Sequence, residues 1–214
     1  MKTYSEPAFW DDVLVGNEPI CNTLESNFSE IKREALRLRK FARFLFVVFT
    51  APSFNKKFLV GDDNGWLIAP FFGNRHDLYA RRRSSKLKII YCDLLAVGVR
   101  LLCPKTLSIF KKHFKEGNVI NAYFTQLAPG SAIKPHLHLN SDGIDRMNLH
   151  LGIVCDPCAT ITVGSETKSW EEGKVLTFKT TGPWKHSVNH DGTIPRLILI
   201  VEVNVEYLKQ YGVY

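Results

Sequence analysis

Apolar and polar positions change period once along this chain, near residue 119. Upstream the pattern is helical. Phe28, Ile31, Ala35, Leu38, Ala42 and Leu45 recur at steps of three and four, which places them on one face of a helix over residues 27–47. Ser26 or Ser29 is placed to cap its start, and Glu30 lies near the positive end of its dipole. Residues 1–22, with Pro7, Gly16 and Pro19, read as irregular. Residues 52–88 read as loop, broken by Pro52, Gly65, Pro70 and Gly73, with a strand over residues 66–69 leading to Phe71 and Phe72. Residues 89–103 are apolar without a deciding period, so helix and buried strand both stand. A short helix over residues 105–114 follows Pro104.

From Val119 onward the period is two. Residues 119–127, 146–154, 159–163, 167–170, 175–178, a short piece around Ser187, and 196–203 read as strands. Pro129-Gly130, Gly164-Ser165 and Glu171-Glu172-Gly173 supply turns. Many short strands between Gly and Pro turns predict a barrel or jelly roll. The expected organisation is a single domain over 1–214. A helical, loop-rich part, 1–118, packs on a β core, 119–205. No internal repeat or low-complexity segment interrupts it.

Composition adds bounds. The 214 residues are 45% hydrophobic, enough for a sizeable core. Net charge is +7, from 28 Lys and Arg against 21 Asp and Glu, which favours acidic partners. No nucleic-acid recognition motif accompanies it, so none is expected to bind. The most apolar run, Phe44 to Ala51, is far short of the ~20 residues of a membrane span. The first seven residues lack the apolar core of a signal peptide. Cys21, Cys92 and Cys103 are isolated, and Cys155-Asp156-Pro157-Cys158 has no second Cys pair and reads as a hairpin turn. A cytoplasmic protein in a reducing compartment is expected. The densest basic cluster, Arg81-Arg82-Arg83 with Lys86 and Lys88, is either a solvated loop or a receiver for an acidic substrate.

Residues 125–203 hold five of the seven histidines. His136 and His138 lie two apart, so on an extended chain they point to one face and either suits a first metal ligand. His186 lies in a later segment able to meet them. Two neutral imidazoles and one further ligand leave open positions on a six-coordinate Fe(II). Arg196 opens the apolar run Leu197 to Val201, where a guanidinium suits an acidic cosubstrate. His190, beside Asp191-Gly192, reads as a surface turn residue.

The wording around these histidines narrows the reading. Thr125 through His136 (TQLAPGSAIKPH), His150-Leu151-Gly152-Ile153-Val154, Ser169 through Phe178 (SWEEGKVLTF), His186-Ser187-Val188 and Arg196 through Val203 (RLILIVEV) resemble the aspartyl/asparaginyl β-hydroxylase family. The resemblance covers residues 119–204 and is weaker upstream. It implies a double-stranded β-helix (jelly roll, cupin-like), Fe(II), 2-oxoglutarate as cosubstrate, and dioxygen. It matches His136 and His186 to the two iron ligands. Arg196 matches the arginine that grips the distal carboxylate of 2-oxoglutarate, and Thr125 stands where the family has an assisting serine. His150 matches the histidine on the metal-side carboxylate. The chain departs from the family in three places. Asn148 stands where an arginine is usual, and Arg146 shares its strand face and can replace it. The stretch around Asn140-Ser141-Asp142-Gly143 is longer. His138 replaces a frequent glycine, as a third ligand, a group behind the ligands or a solvent-facing residue.

The implied function is a 2-oxoglutarate-dependent dioxygenase that hydroxylates a C–H bond, at the β-carbon of an Asp or Asn residue or derivative. An acidic small molecule, peptide or carrier-bound group is the expected substrate, with Lys134 and Arg81-Arg82-Arg83 as a basic rim. The alternatives are a relative acting on a lipid or other small molecule, and a non-catalytic jelly-roll binding module.

Overall fold

Two antiparallel sheets face each other, and one strand decides which residues lie between them. The computed structural model describes residues 7–41, 47–48, 59–60, 65–72, 94, 96–138, 143–181 and 183–212. The strands are β1 (Val47–Val48), β2 (Leu59–Val60), β3 (Trp66–Phe72), β4 (Val119–Leu127), β5 (Ser131–His136), β6 (Arg146–Val154), β7 (Ala159–Val163), β8 (Glu166–Ser169), β9 (Val175–Lys179), β10 (His186–His190) and β11 (Arg196–Asn204). One sheet runs β1-β3-β4-β11-β6-β9, and the other β2-β5-β10-β7-β8. This is a double-stranded β-helix with helices on one side.

β11 is flanked by β4 and β6 and is buried on both faces, which is why it reads as a continuous apolar run. Leu197, Leu199, Val201 and Val203 join the cluster shared with the helices Pro19–Ser26, Phe28–Phe41 and Pro104–Lys115. Ile198 and Ile200 join the second cluster, with Ile133, Ile161, Val163 and Val188 of the opposing sheet. Because side chains alternate along a strand, Arg196 and Glu202 share the inner face with Ile198 and Ile200. Register carries that face outward. Ile198 pairs with Thr125 and Gly152, Ile200 with Tyr123 and His150, and Glu202 with Asn121 and Asn148.

Several expectations need correction. Within the stretch expected to be irregular, helices form over Asp11–Leu14 and Pro19–Ser26. Pro19 is the first residue of its helix, where its missing N–H costs nothing, and the Glu18 carboxylate accepts from the N–H groups of Ile20 and Cys21 at 2.9 and 2.7 Å. Ser26 belongs to that helix rather than capping the next. The helix expected over 27–47 spans Phe28–Phe41, and Val47 and Val48 instead pair with β3, as suits β-branched residues at a sheet edge. Residues 96–102 are helical. The Cys155–Cys158 turn links strands of opposite sheets and is no hairpin, and both thiols are free. Arg81-Arg82-Arg83, Lys86, Lys88, Cys92 and Asn140-Ser141-Asp142 lie outside the described residues. No helix among the described residues is long and apolar enough to cross a membrane.

The helical layer is tied together by Glu34. Its buried carboxylate accepts from the N–H groups of Lys105 and Thr106 at 3.0 and 2.9 Å and from Thr106 Oγ1 at 2.8 Å. It thus satisfies orphan donors at the start of another helix. Glu34→Ala should lower the unfolding free energy by about 1–3 kcal/mol. Urea denaturation measures this, and an unchanged midpoint would mean that water replaces the carboxylate without loss.

Candidate active site

The site is built where β5 meets β10. Val188 pairs with Ile133, but His186 pairs with His136, so β5 carries one extra residue over this interval. This is a β-bulge. Ser131 and Ile133 are buried, Lys134 and Pro135 are both exposed, and His136 is buried again. Regular alternation would have turned Pro135 inward and His136 to solvent. The bulge reverses that, and proline, which lacks an N–H, belongs naturally at such an irregularity. Sequence reading gave β5 no strand; a proline amid alternating positions was the available signal.

His136 and His186 face each other with ring centroids 4.2 Å apart. His136 Nδ1 lies 2.8 Å from the Lys134 carbonyl, so Nδ1 carries the proton and Nε2 keeps a lone pair for a metal. His138, half-buried just past β5, lies 5.0 Å from His186 and 5.4 Å from His136 between centroids. Burial lowers the pKa of all three, that of His138 to about 3, so their rings are neutral near pH 7 and available as ligands.

Behind the histidines lies a polar wall on the inner face of the first sheet. Trp170 Nε1 donates to His150 Nδ1 at 3.3 Å, which puts the proton of the neutral His150 ring on Nε2. That Nε2 is buried and has no hydrogen-bond partner among the described residues. The Arg196 guanidinium lies 4.3 Å over the Trp170 ring, and it forms no ion pair with any described residue. Its Nε and His186 Nδ1 are likewise buried without a hydrogen-bond partner among the described residues. Desolvation lowers the Arg196 pKa to about 10 and still leaves it charged. Trp66 Nε1 donates to Thr125 Oγ1 at 2.6 Å, leaving the Thr125 hydroxyl hydrogen for another acceptor. The loop entering Arg196 is fixed by Asp156, which accepts from the N–H groups of Thr193 and Ile194 at 2.8 and 3.3 Å. A Cβ at Gly192 would fall 2.1 Å from that carboxylate, so only glycine fits there.

Arg146 shares the inner face with Asn148 and His150, as expected, but its charge is already engaged: Nε is 3.5 Å from the Glu202 carboxylate. Tyr123 also bonds Glu202, at 3.3 Å, and Asn121 donates to it. Burial and this carboxylate push the Tyr123 pKa well up. His190 is not a surface residue. It ends β10 on the same inward face as His186 and Val188, and its Nε2 meets the Ile194 carbonyl at 2.9 Å.

The family comparison agrees with this geometry. The sequence model described as aspartyl/asparaginyl β-hydroxylase matches residues 25–205. The chain belongs to that family. The human aspartyl/asparaginyl β-hydroxylase is 34% identical over 107 residues, covering 47% of this chain and 13% of that protein. The mouse protein is 33% identical over 104 residues, with the same coverage. The chain thus matches only a small part of these relatives' length. A prolyl-4-hydroxylase from Pseudomonas putida aligns structurally over 86% of this chain and 98% of its own, at 12% identity and a TM-score of 0.48.

Buried neutral histidines have a measurable cost. An unfolded histidine titrates near about 6.5. Both His150 and His186 are held well below that in the fold. Below pH ~6.5 the unfolded chain therefore binds more protons, and stability falls by up to about 1.4 kcal/mol per pH unit for each such group. Melting of the metal-free protein should drop as pH is lowered from about 7.5 to about 5, more steeply than in His150→Phe. Equal slopes would mean that the His150 ring is solvated.

Proposed function

We propose that this chain is an Fe(II)- and 2-oxoglutarate-dependent dioxygenase that hydroxylates a C–H bond, with an Asp or Asn derivative as the preferred substrate class. The observation that carries the reading is the pairing of two features inside one barrel. Two neutral histidines meet across the β5 bulge, and an arginine without an ion pair among the described residues waits on the facing sheet. An unpaired guanidinium kept from water is costly. A carboxylate that enters the barrel relieves that cost.

Each residue then has a task. His136 and His186 would hold the metal. Iron(II) with 2-oxoglutarate and dioxygen supplies the oxidising power for hydroxylation, with succinate and carbon dioxide as coproducts. Arg196 would take the distal carboxylate of the cosubstrate by a charge-assisted pair, with the Thr125 hydroxyl as a further donor. The Nε2–H of His150 is free to donate to the metal-side carboxylate. We place Arg146 beside it, in the role that the family gives to an arginine at the Asn148 position. The apolar lining, Ile198, Ile200, Leu176 and Phe178, keeps water from the reacting centre. Lys134 is exposed just before the first ligand and would face an acidic substrate.

His136→Ala and His186→Ala should each abolish metal binding and succinate formation; full turnover by either would sink the assignment. Arg196→Ala should raise the 2-oxoglutarate KM by about 10- to 150-fold, the equivalent of 1.5–3 kcal/mol for a charged hydrogen bond. An unchanged KM would move the distal carboxylate to another cation, Arg146 first. For the substrate, succinate formation should be stimulated most by acidic peptides, acidic amino acids or acidic carrier-bound groups. That stimulation should weaken as salt rises, because opposite charges at a rim chiefly speed encounter. Stimulation by neutral or basic compounds alone, without a salt effect, would overturn the acidic-substrate reading and leave the oxygenase reading standing.

A further inference from the structure

The bulge that turns His136 inward also brings the histidine two residues on to the same centre. One nitrogen of each ring, from His136, His138 and His186, can be chosen so that all lie within 4.8 Å of one another. No carboxylate joins that group among the described residues. The His138 backbone is tethered by its N–H to the Thr180 carbonyl at 3.4 Å, which holds the residue beside β9. Its ring makes no hydrogen bond to any described residue and lies against the rings of His136 and His186. We propose that His138 is a third protein ligand, so that the metal is gripped by three imidazoles. This rests on the metal-centre reading above and deepens it.

Charge explains why a histidine suits this position. Arg146 is a neighbour of His138, since Thr180, whose carbonyl takes the His138 N–H, donates its own N–H to the Arg146 carbonyl. An Asp or Glu at 138 would be drawn to that guanidinium as well as to the metal. A neutral ring is not, and it leaves Arg146 to Glu202. Three neutral donors would also leave the full double charge on a divalent cation, which would strengthen its hold on the metal-side carboxylate of 2-oxoglutarate while the distal one answers Arg196. Three protein ligands and a bidentate cosubstrate fill five of six positions on such an ion. One position then remains, with none spare for a halide.

Co(II) titration of the metal-free protein, without cosubstrate, tests the assignment by calorimetry and visible absorption. Thermal melts establish that each variant is folded, and His138→Asn stands in if His138→Ala melts early. Removing a ligand should weaken Co(II) binding by more than about 100-fold, beyond the 10–100-fold that loss of an outer partner produces, and should change the absorption bands. His138→Asp, which restores a donor atom, should recover the affinity to within about tenfold of wild type. Wild-type affinity in His138→Ala, or a smaller loss with unchanged bands, would overturn the third ligand and leave the His136–His186 centre intact. Failure of the wild-type protein to bind Co(II) would remove both.

Discussion

Burial of β11 on both faces is the constraint from which the rest follows. A strand covered on one side by helices and on the other by a second sheet must be apolar at nearly every position. Arg196 and Glu202 are the charged exceptions on it, and both point inward. They are treated differently. Glu202 is neutralised by Arg146 and solvated by Tyr123 and Asn121. Among the described residues Arg196 has no ion pair and lies over the face of Trp170. A cation on an aromatic face recovers part of its lost hydration and no more. The inner face of the first sheet therefore carries a buried cation that no described carboxylate answers, and the anion proposed above would answer it.

The histidine pair depends on a different device. Two sheets that close on each other leave few inward positions, and strict alternation would have given that of His136 to Pro135. One extra residue in β5 exchanges them. A single insertion or deletion there would part the histidine pair while leaving the hydrophobic pattern of the other strands untouched. The helical layer is a separate matter. It packs on the outer face of the first sheet through Leu197, Leu199, Val201 and Val203, and it also holds β9, where Asp11 accepts from the Thr177 N–H and hydroxyl beside Phe178.

Strands longer than four residues with clean alternation or full burial were legible in the sequence: β4, β6, β7, β9 and β11 lie within a residue of expectation. Their signal is local and needs no partner. β5 was not legible, because Lys134 and Pro135 break its alternation and only the pairing with β10 makes it a strand. The Pro19–Ser26 helix was hidden for a related reason: proline reads as a breaker until the Glu18 cap reveals it as a first residue. At the site, the meeting of His136 and His186 followed from spacing and resemblance, whereas spacing left His138 open between a ligand, a group behind the ligands and a solvent-facing residue. The engagement of Arg146 by Glu202 did not, since the two are 56 positions apart and meet only through the β6–β11 register. His190 was misplaced because Asp191-Gly192 signals a turn, while the residue before a turn can still close a strand inward.

Trp170 joins two of these features. One edge of its indole bonds His150, and its face carries Arg196, with the His150 and Trp170 ring planes within 15° of parallel. The donor proposed for one carboxylate and the cation proposed for the other thus both rest on a single rigid side chain. Such a spacer would work as a ruler. It would select a dicarboxylate by its length as well as by its charge, without any contact to the carbons in between.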